Sequence, residues 1–251
     1  VLDLSRVLAG PWCGMTLADL GAEVIKVESF DGDDTRGMGP PYIGEISAYF
    51  SCANRGKRSI CIDLHKPQSA AVIHALVQQA DVLIENFRTG TAERLGVGYA
   101  AMSAINPRLI YCSISGYGRT GPDAERAGYD YAVQAEGGLM AITGARDGQP
   151  NKVAVAVVDL ATGQNATIAI LAALQQRHGS GRGQHVAVSL FDTQLSWLAN
   201  IGAGVLFTGE DAPRFGNEHA SIVPYQAFDA ADQAFVLTVA NEKLWHALCI
   251  T

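Results

Sequence analysis

The sequence predicts an α/β fold, an open parallel sheet with helices on both faces followed by the start of a smaller α+β unit. Short runs of β-branched residues alternate with longer segments of helical character, and this order places a parallel sheet under covering helices. Cationic side chains recur just past the ends of the predicted strands, the edge at which such sheets bind ligands. A polar, proline-containing loop near residues 209–217 marks a shift in composition before two short strand-like runs.

Residues 1–4 read as a strand, 11–20 as a short helix stopped by Gly21, and 22–28 as a second strand. A polar loop with glycines and prolines, 31–45, separates this opening from its repeat: strand 59–64, helix 66–79, strand 81–87. Residues 91–106 are helical in character but broken near Gly96 and Gly98, and 109–115 form the next strand. Residues 128–143 read as helical up to Gly137 and Gly138. A small, β-branched run, 153–158, then delivers Asp159 to the start of an apolar helix that Gly179 and Gly181 close. A sixth strand covers 185–190, an apolar helix 195–207, and paired strands 225–228 and 235–239 begin the second unit. The expected organisation is a large catalytic and ligand-binding domain over 1–195, a connecting helix and loop over 196–222, and an unfinished small domain over 223–251. The chain starts inside a strand and stops after helix-like residues, which reads as a piece of a longer protein.

With 251 residues, 48% of them hydrophobic and 17% charged, the chain can bury a large core. Acids exceed bases, 25 against 18, so the surface is not built for nucleic acid or anionic lipid. The five cysteines are scattered and never in C-x-x-C spacing, and the histidines fall in no ligand pattern with them, so we expect reduced thiols, no metal and a cytoplasmic protein. No apolar run approaching the ~20 residues of a bilayer span is expected.

Gly116-Tyr117-Gly118-Arg119-Thr120-Gly121 follows a strand and matches the dinucleotide fingerprint literally. The fingerprint needs a helix packed on the sheet after its third glycine, whereas Pro122-Asp123-Ala124-Glu125-Arg126 is polar, so neither nicotinamide nor flavin is expected. Lys26, Arg36, Lys57, Arg58, Arg88 and Arg94 gather at the ligand edge and suit a phosphorylated small molecule. Asp159 has two readings. It is an ordinary acid in the first turn of a helix, satisfying backbone amides, or a carboxylate in apolar surroundings that serves as nucleophile or base.

Val7-Leu8-Ala9-Gly10-Pro11, Glu23-Val24-Ile25-Lys26-Val27-Glu28, Gly32-Asp33-Asp34-Thr35-Arg36-Gly37, Lys57-Arg58-Ser59-Ile60 and Glu85-Asn86-Phe87-Arg88 occur in the order of a known family. Gly116-Tyr117-Gly118, Gln134-Ala135-Glu136-Gly137-Gly138, Asp159 and Gly181-Arg182-Gly183-Gln184-His185-Val186 continue the match. The chain resembles the class III coenzyme A transferases, the group containing formyl-CoA transferase, carnitine-CoA transferases and α-methylacyl-CoA racemase. The resemblance implies a Rossmann-like large domain, an interlocked homodimer, further small-domain sequence after Thr251, and coenzyme A bound as an acyl-CoA substrate alongside a carboxylic acid. It implies Asp159 as covalent nucleophile and places Val7, Ala9, Arg36, Ile62, His65, Asn86, Phe87 and Arg94 along the CoA site. Tyr129, Leu8, Gly137 and Gly138 fall in the acyl pocket, the two glycines presenting amides to developing oxyanions. Leu8 replaces a glutamine and His65 a lysine of formyl-CoA transferase, which argues against formyl and oxalate chemistry. Tyr129 replaces the histidine of the racemase branch and, with its high ordinary pKa, argues against racemisation. The segment 216–228 is similar to transferases acting on dicarboxylic acids such as succinate. The alternatives are a racemase or epimerase and a catalytically idle CoA-binding module.

Overall fold

In the computed structural model, which describes residues 1–250, the central feature is a six-stranded sheet. Its strands are β1 (Leu2–Asp3), β2 (Val24–Glu28), β3 (Lys57–Cys61), β4 (Val82–Glu85), β5 (Ile110–Ser115) and β6 (His185–Ser189). All pair in parallel, in the order β3-β2-β1-β4-β5-β6. That is the doubly wound order, in which the chain reverses direction of travel between β1 and β4 and leaves a crevice at their carboxyl ends. Each of the predicted sheet strands is present, displaced by a few residues at its ends.

Alternation along the strands sends side chains into two cores. Val82, Ile84, Ile110, Cys112 and Ile114 meet helix α1 (Ala9–Asp19) and the later helix α4 (Val157–Ser180) on one face. Leu83, Leu109 and Tyr111 meet helices α2 (Pro67–Gln79) and α3 (Tyr99–Ile105) on the other. Helices α1 and α4 approach closely: a Cβ on Gly163 would stand 2.6 Å from the Ala9 carbonyl oxygen and 3.1 Å from Trp12. Helix α4 ends at Gly181 in the left-handed conformation (φ 69°), whose amide returns to the Arg177 carbonyl, a glycine stop of the kind expected. By length and composition α4 is long and apolar enough to cross a membrane, contrary to the expectation that no such run exists. Its buried residues, among them Ala161, Ala166, Ile170 and Ala173, pack in the core beneath the sheet instead.

Other expectations need correction. The loop expected over 31–45 contains a 3₁₀ turn (Asp34–Gly37) and a two-residue hairpin (Tyr42–Ile43 with Ile46–Ser47), and a helix, Ala48–Asn54, follows with Ser47 Oγ accepting from the Phe50 amide. The single helix expected over 195–207 is two, Leu190–Trp197 and Ala199–Thr208, the second opening on Ala199 at φ 44°.

The chain divides into two compact units: Val1–Val133 with Ala156–Gln194, and Gln134–Val155 with the chain from Leu195 onward. The segment 134–155, expected within the large domain, thus clusters with the later chain. The reason is polar. The Arg214 guanidinium donates to the carbonyls of Ala141, Ala145 and Gly148, and Arg146 pairs with Glu218. This second unit also holds an antiparallel hairpin, Tyr225–Asp229 with Ala234–Thr238, and a helix, Glu242–Ile250.

Candidate active site

A cleft of about 360 Å³ opens in the first unit at the carboxyl ends of β1, β4 and β5, the position the strand order predicts. Arg6, Val7, Leu8 and Ala9 line it from the loop after β1, and Asn86, Phe87 and Arg88 from the loop after β4. Gly128, Tyr129 and Asp159 complete the wall opposite.

The first loop is held in a strained shape. Val7 has φ 69°, where a β-branched side chain costs on the order of 1–3 kcal/mol. Two anchors hold it. Asn86 clamps the Arg6 backbone, accepting from its amide at 2.9 Å and donating to its carbonyl at 2.7 Å. The Val7 amide donates to the Asp33 carboxylate at 3.3 Å. Asp33 is itself buried and paired with Lys26 at 2.8 Å, while the same ammonium donates to the Ser5 carbonyl.

Asp159 stands in the first turn of α4. Were it a helix cap, its carboxylate would accept backbone amides at its own N-terminus. It does not. Asp130 takes that part: its Oδ1 accepts from the Val158 amide at 2.8 Å and the Asp159 amide at 3.3 Å. Among the described residues no donor reaches the Asp159 carboxylate. Burial, and then the negative charge of Asp130, push its pKa up from 3.8 to about 7. A carboxyl so placed is poised to exchange its proton near neutrality, and once ionised its lone pairs are uncommitted.

The glycine-rich loop after β5 is built for packing. Arg119 turns inward, pairing with Glu85 at 2.7 Å and donating to the Phe87 carbonyl at 2.8 Å, which braces the cleft wall. Gly116 and Gly128 cross back to back: a Cβ on Gly116 would meet the Gly128 Cα at 2.5 Å, and the reverse gives 2.3 Å. This crossing fixes the segment that carries Tyr129 and Asp130.

Of the predicted site residues, the cleft brings together Val7, Leu8, Ala9, Asn86, Phe87, Tyr129 and Asp159. Tyr129 is 69% exposed at its mouth. His65 and Arg94 line a separate depression of about 220 Å³ with Lys66, and Ile62 is buried in the core beside α2. Arg36 is held bidentately by Glu28, both contacts at 2.7 Å, and lies over the Phe50 ring. Arg36, Ser59 and the Asp33 amide outweigh burial and pull Glu28 down to about 2. Gly137 and Gly138 belong to the second unit, where Gly138 (φ 87°) opens the turn Leu139–Ile142.

Four of the six cations expected at the ligand edge are committed elsewhere, Arg36 to Glu28 among them. Lys26 is buried, the Lys57 side chain is 2% exposed and bound to Asp3 at 2.9 Å and to the Pro11 carbonyl at 2.8 Å, and Arg58 pairs with Glu23 at 2.6 Å. Arg88 is the one of the six that lines the main cleft. Asp130, Arg6 and Arg126 were missed by sequence reasoning, and only Asp130 had a local signal, its place after Gly128-Tyr129.

A family model described as CoA-transferase family III matches residues 1–251. The chain is 48% identical to the succinate–glutarate CoA-transferase of Agrobacterium fabrum, the match covering 99% of this chain and 64% of that protein. It is 45% identical to the succinyl-CoA:glutarate CoA-transferase of Homo sapiens, over 99% of this chain and 57% of that one. It therefore spans less than two thirds of the length of these relatives. Among solved structures, a CAIB/BAIF family protein from Brucella suis superposes with a TM-score of 0.91 at 47% identity, covering 99% of this chain and 67% of that chain. Strand order, cleft and sequence agree, and the chain belongs to CoA-transferase family III.

Proposed function

We propose that the protein moves coenzyme A between carboxylic acids, with Asp159 as the covalent nucleophile. The observation that carries this reading is a carboxylate in the cleft that no hydrogen-bond donor reaches among the described residues, at a helix terminus where a second carboxylate has already taken two amides. A structural cap would be engaged; this group is available to react. Ionised Asp159 attacks the thioester carbonyl, the C–S bond breaks, and CoA leaves as thiolate with a mixed anhydride on the enzyme. The thiolate then attacks the aspartyl carbonyl, releasing the donor acid as carboxylate and forming an aspartyl-CoA thioester. The acceptor carboxylate attacks that thioester, and the returning thiolate takes the acceptor's acyl group, freeing Asp159. No net proton is consumed, because one carboxylate replaces another.

The surroundings suit such a substrate. The strained Val7 loop and Phe87 give the cleft an apolar lining for an acyl thioester, and Arg88, exposed and with no side-chain partner among the described residues, offers a cation to phosphate or carboxylate. The two relatives named above carry succinate and glutarate in their names, and we extend the same substrate class, small dicarboxylic acids, to this chain. We also carry forward the homodimer as part of this reading.

The test is mass spectrometry of the full-length protein after brief exposure to succinyl-CoA, with hydroxylamine trapping. An acyl- or CoA-derived mass on the Asp159 peptide is the expected result. CoA binding without any adduct across a panel of thioesters would sink the reading, and α-proton exchange in that case would point to a racemase.

A further inference from the structure

Helix α4 begins with amides that need acceptors and a positive dipole end that attracts an anion. An acid in its first turn would normally satisfy both and be unavailable for chemistry. Here the acceptor comes from a different part of the chain, 29 residues earlier. We propose that Asp130 is the positioning residue for Asp159: by capping α4 in its place, it keeps the Asp159 carboxylate uncommitted, and it confronts that carboxylate with a like charge. The inference rests on Asp159 being the nucleophile.

The geometry supplies both effects. One oxygen of Asp130 spans the amides of Val158 and Asp159 itself, so the residue that caps the helix also fixes the backbone of the nucleophile. The segment carrying Asp130 is pinned by the Gly116–Gly128 crossing, so the cap is presented by a rigid support. The charged and titratable groups around the nucleophile are few. Arg6 follows β1 and Asp34 follows β2 on the cleft wall, Arg88 follows β4, Arg126 and Tyr129 stand on the segment before Asp130, and Tyr49, on the helix Ala48–Asn54, feels the Asp159 charge. Arg6 is paired with Asp34, and Arg126 with Asp123 while stacked over Tyr117. Burial raises the Asp159 pKa most, and the negative charge of Asp130 raises it further. A more basic carboxylate is a stronger nucleophile toward the thioester and a poorer leaving group from the mixed anhydride, which favours thiolate attack at the aspartyl carbonyl and expulsion of the donor acid over return.

The experiment uses the full-length protein with succinyl-CoA and follows formation of the Asp159 adduct in a single turnover from pH 5 to 9. Asp130→Asn keeps the accepting oxygen and removes the charge; Asp130→Ser is a second neutral cap; Asp130→Ala removes the acceptor. In wild type the rate is expected to rise through about pH 7. In Asp130→Asn and Asp130→Ser the rise moves to lower pH, and each unit of displacement would raise labelling at pH 6, relative to its plateau, about fivefold, from roughly a tenth to about half. Asp130→Ala shows the same shift and a lower plateau. An unchanged acidic limb in both neutral caps, with adduct still forming, overturns the role of Asp130 while leaving Asp159 as nucleophile. Absence of an adduct in wild type overturns the nucleophile and this inference with it. Infrared titration of the Asp159 carboxyl, with Asp159→Asn as blank, reads the same displacement without turnover.

Discussion

Removing the candidate nucleophile should stabilise the protein, and should do so increasingly as pH rises from the ordinary carboxyl range through neutrality. Asp159 has a folded-state pKa of about 7 against an ordinary value of 3.8, so the folded chain holds a proton that the unfolded chain has released between those values. Stability therefore falls as pH rises through this window and levels off above it. With 1.36 kcal/mol per unit, the raised pKa costs the fold about 2 kcal/mol at pH 5, where the folded chain must hold a proton that the unfolded chain has released, and about 4 kcal/mol at pH 8, where it must hold the charge. Asp159→Asn keeps the shape and removes the cost, so its advantage over wild type should be about 2 kcal/mol larger at pH 8 than at pH 5. Thermal midpoints of the two proteins, measured in parallel at both pH values, read this difference, and transferase activity of the variant should be lost. An equal advantage at both pH values, or none, would refute the claim that Asp159 is held in a site hostile to its charge.

Other expectations concern the scaffold. Gly163→Ala puts a methyl group against the Ala9 carbonyl, where backbone cannot yield, and should cost about 1–3 kcal/mol; an unchanged thermal midpoint would show that α1 and α4 can separate freely. Lys57→Met leaves the Asp3 carboxylate buried without its partner and should cost about 3–5 kcal/mol, much of it recovered by adding Asp3→Asn, as a double-mutant cycle in denaturant would reveal. Asn86→Ala releases both backbone contacts to Arg6, and calorimetric titration with CoA should show affinity falling while the far-ultraviolet circular dichroism stays that of the folded chain.

Local pattern revealed the sheet because strands such as Val24–Glu28, Val82–Glu85 and Ile110–Ser115 are short runs rich in β-branched and apolar residues, set apart by segments of helical character. Gly181 shows how far such reading reaches: a helix, a stop and a left-handed residue can all be inferred from one position. The hairpin Tyr42–Ile43 with Ile46–Ser47 could not be read this way, since two residues have no periodicity. Lys26 and Lys57 show a different limit. Their places after or within strands were legible, but whether an ammonium faces ligand or carboxylate depends on Asp33 and Asp3, which only folding brings near. Asp159 stood out as a lone acid before an apolar helix, yet the choice between cap and nucleophile rested on Asp130, whose role no spacing within α4 could disclose. The grouping of 134–155 with the later chain likewise depends on Arg214, remote in sequence.

The back-to-back crossing of Gly116 and Gly128 limits how this scaffold can diversify. Neither position accepts even a methyl group while the other stays put, because each would strike main chain and not a side chain that could swing aside. Variation at one cannot be compensated by trimming the other, which is already as small as a residue can be. Enzymes with new acyl preferences built on this frame must therefore change shape at positions such as Leu8 or Tyr129, whose side chains line the cavity, and inherit the crossing untouched.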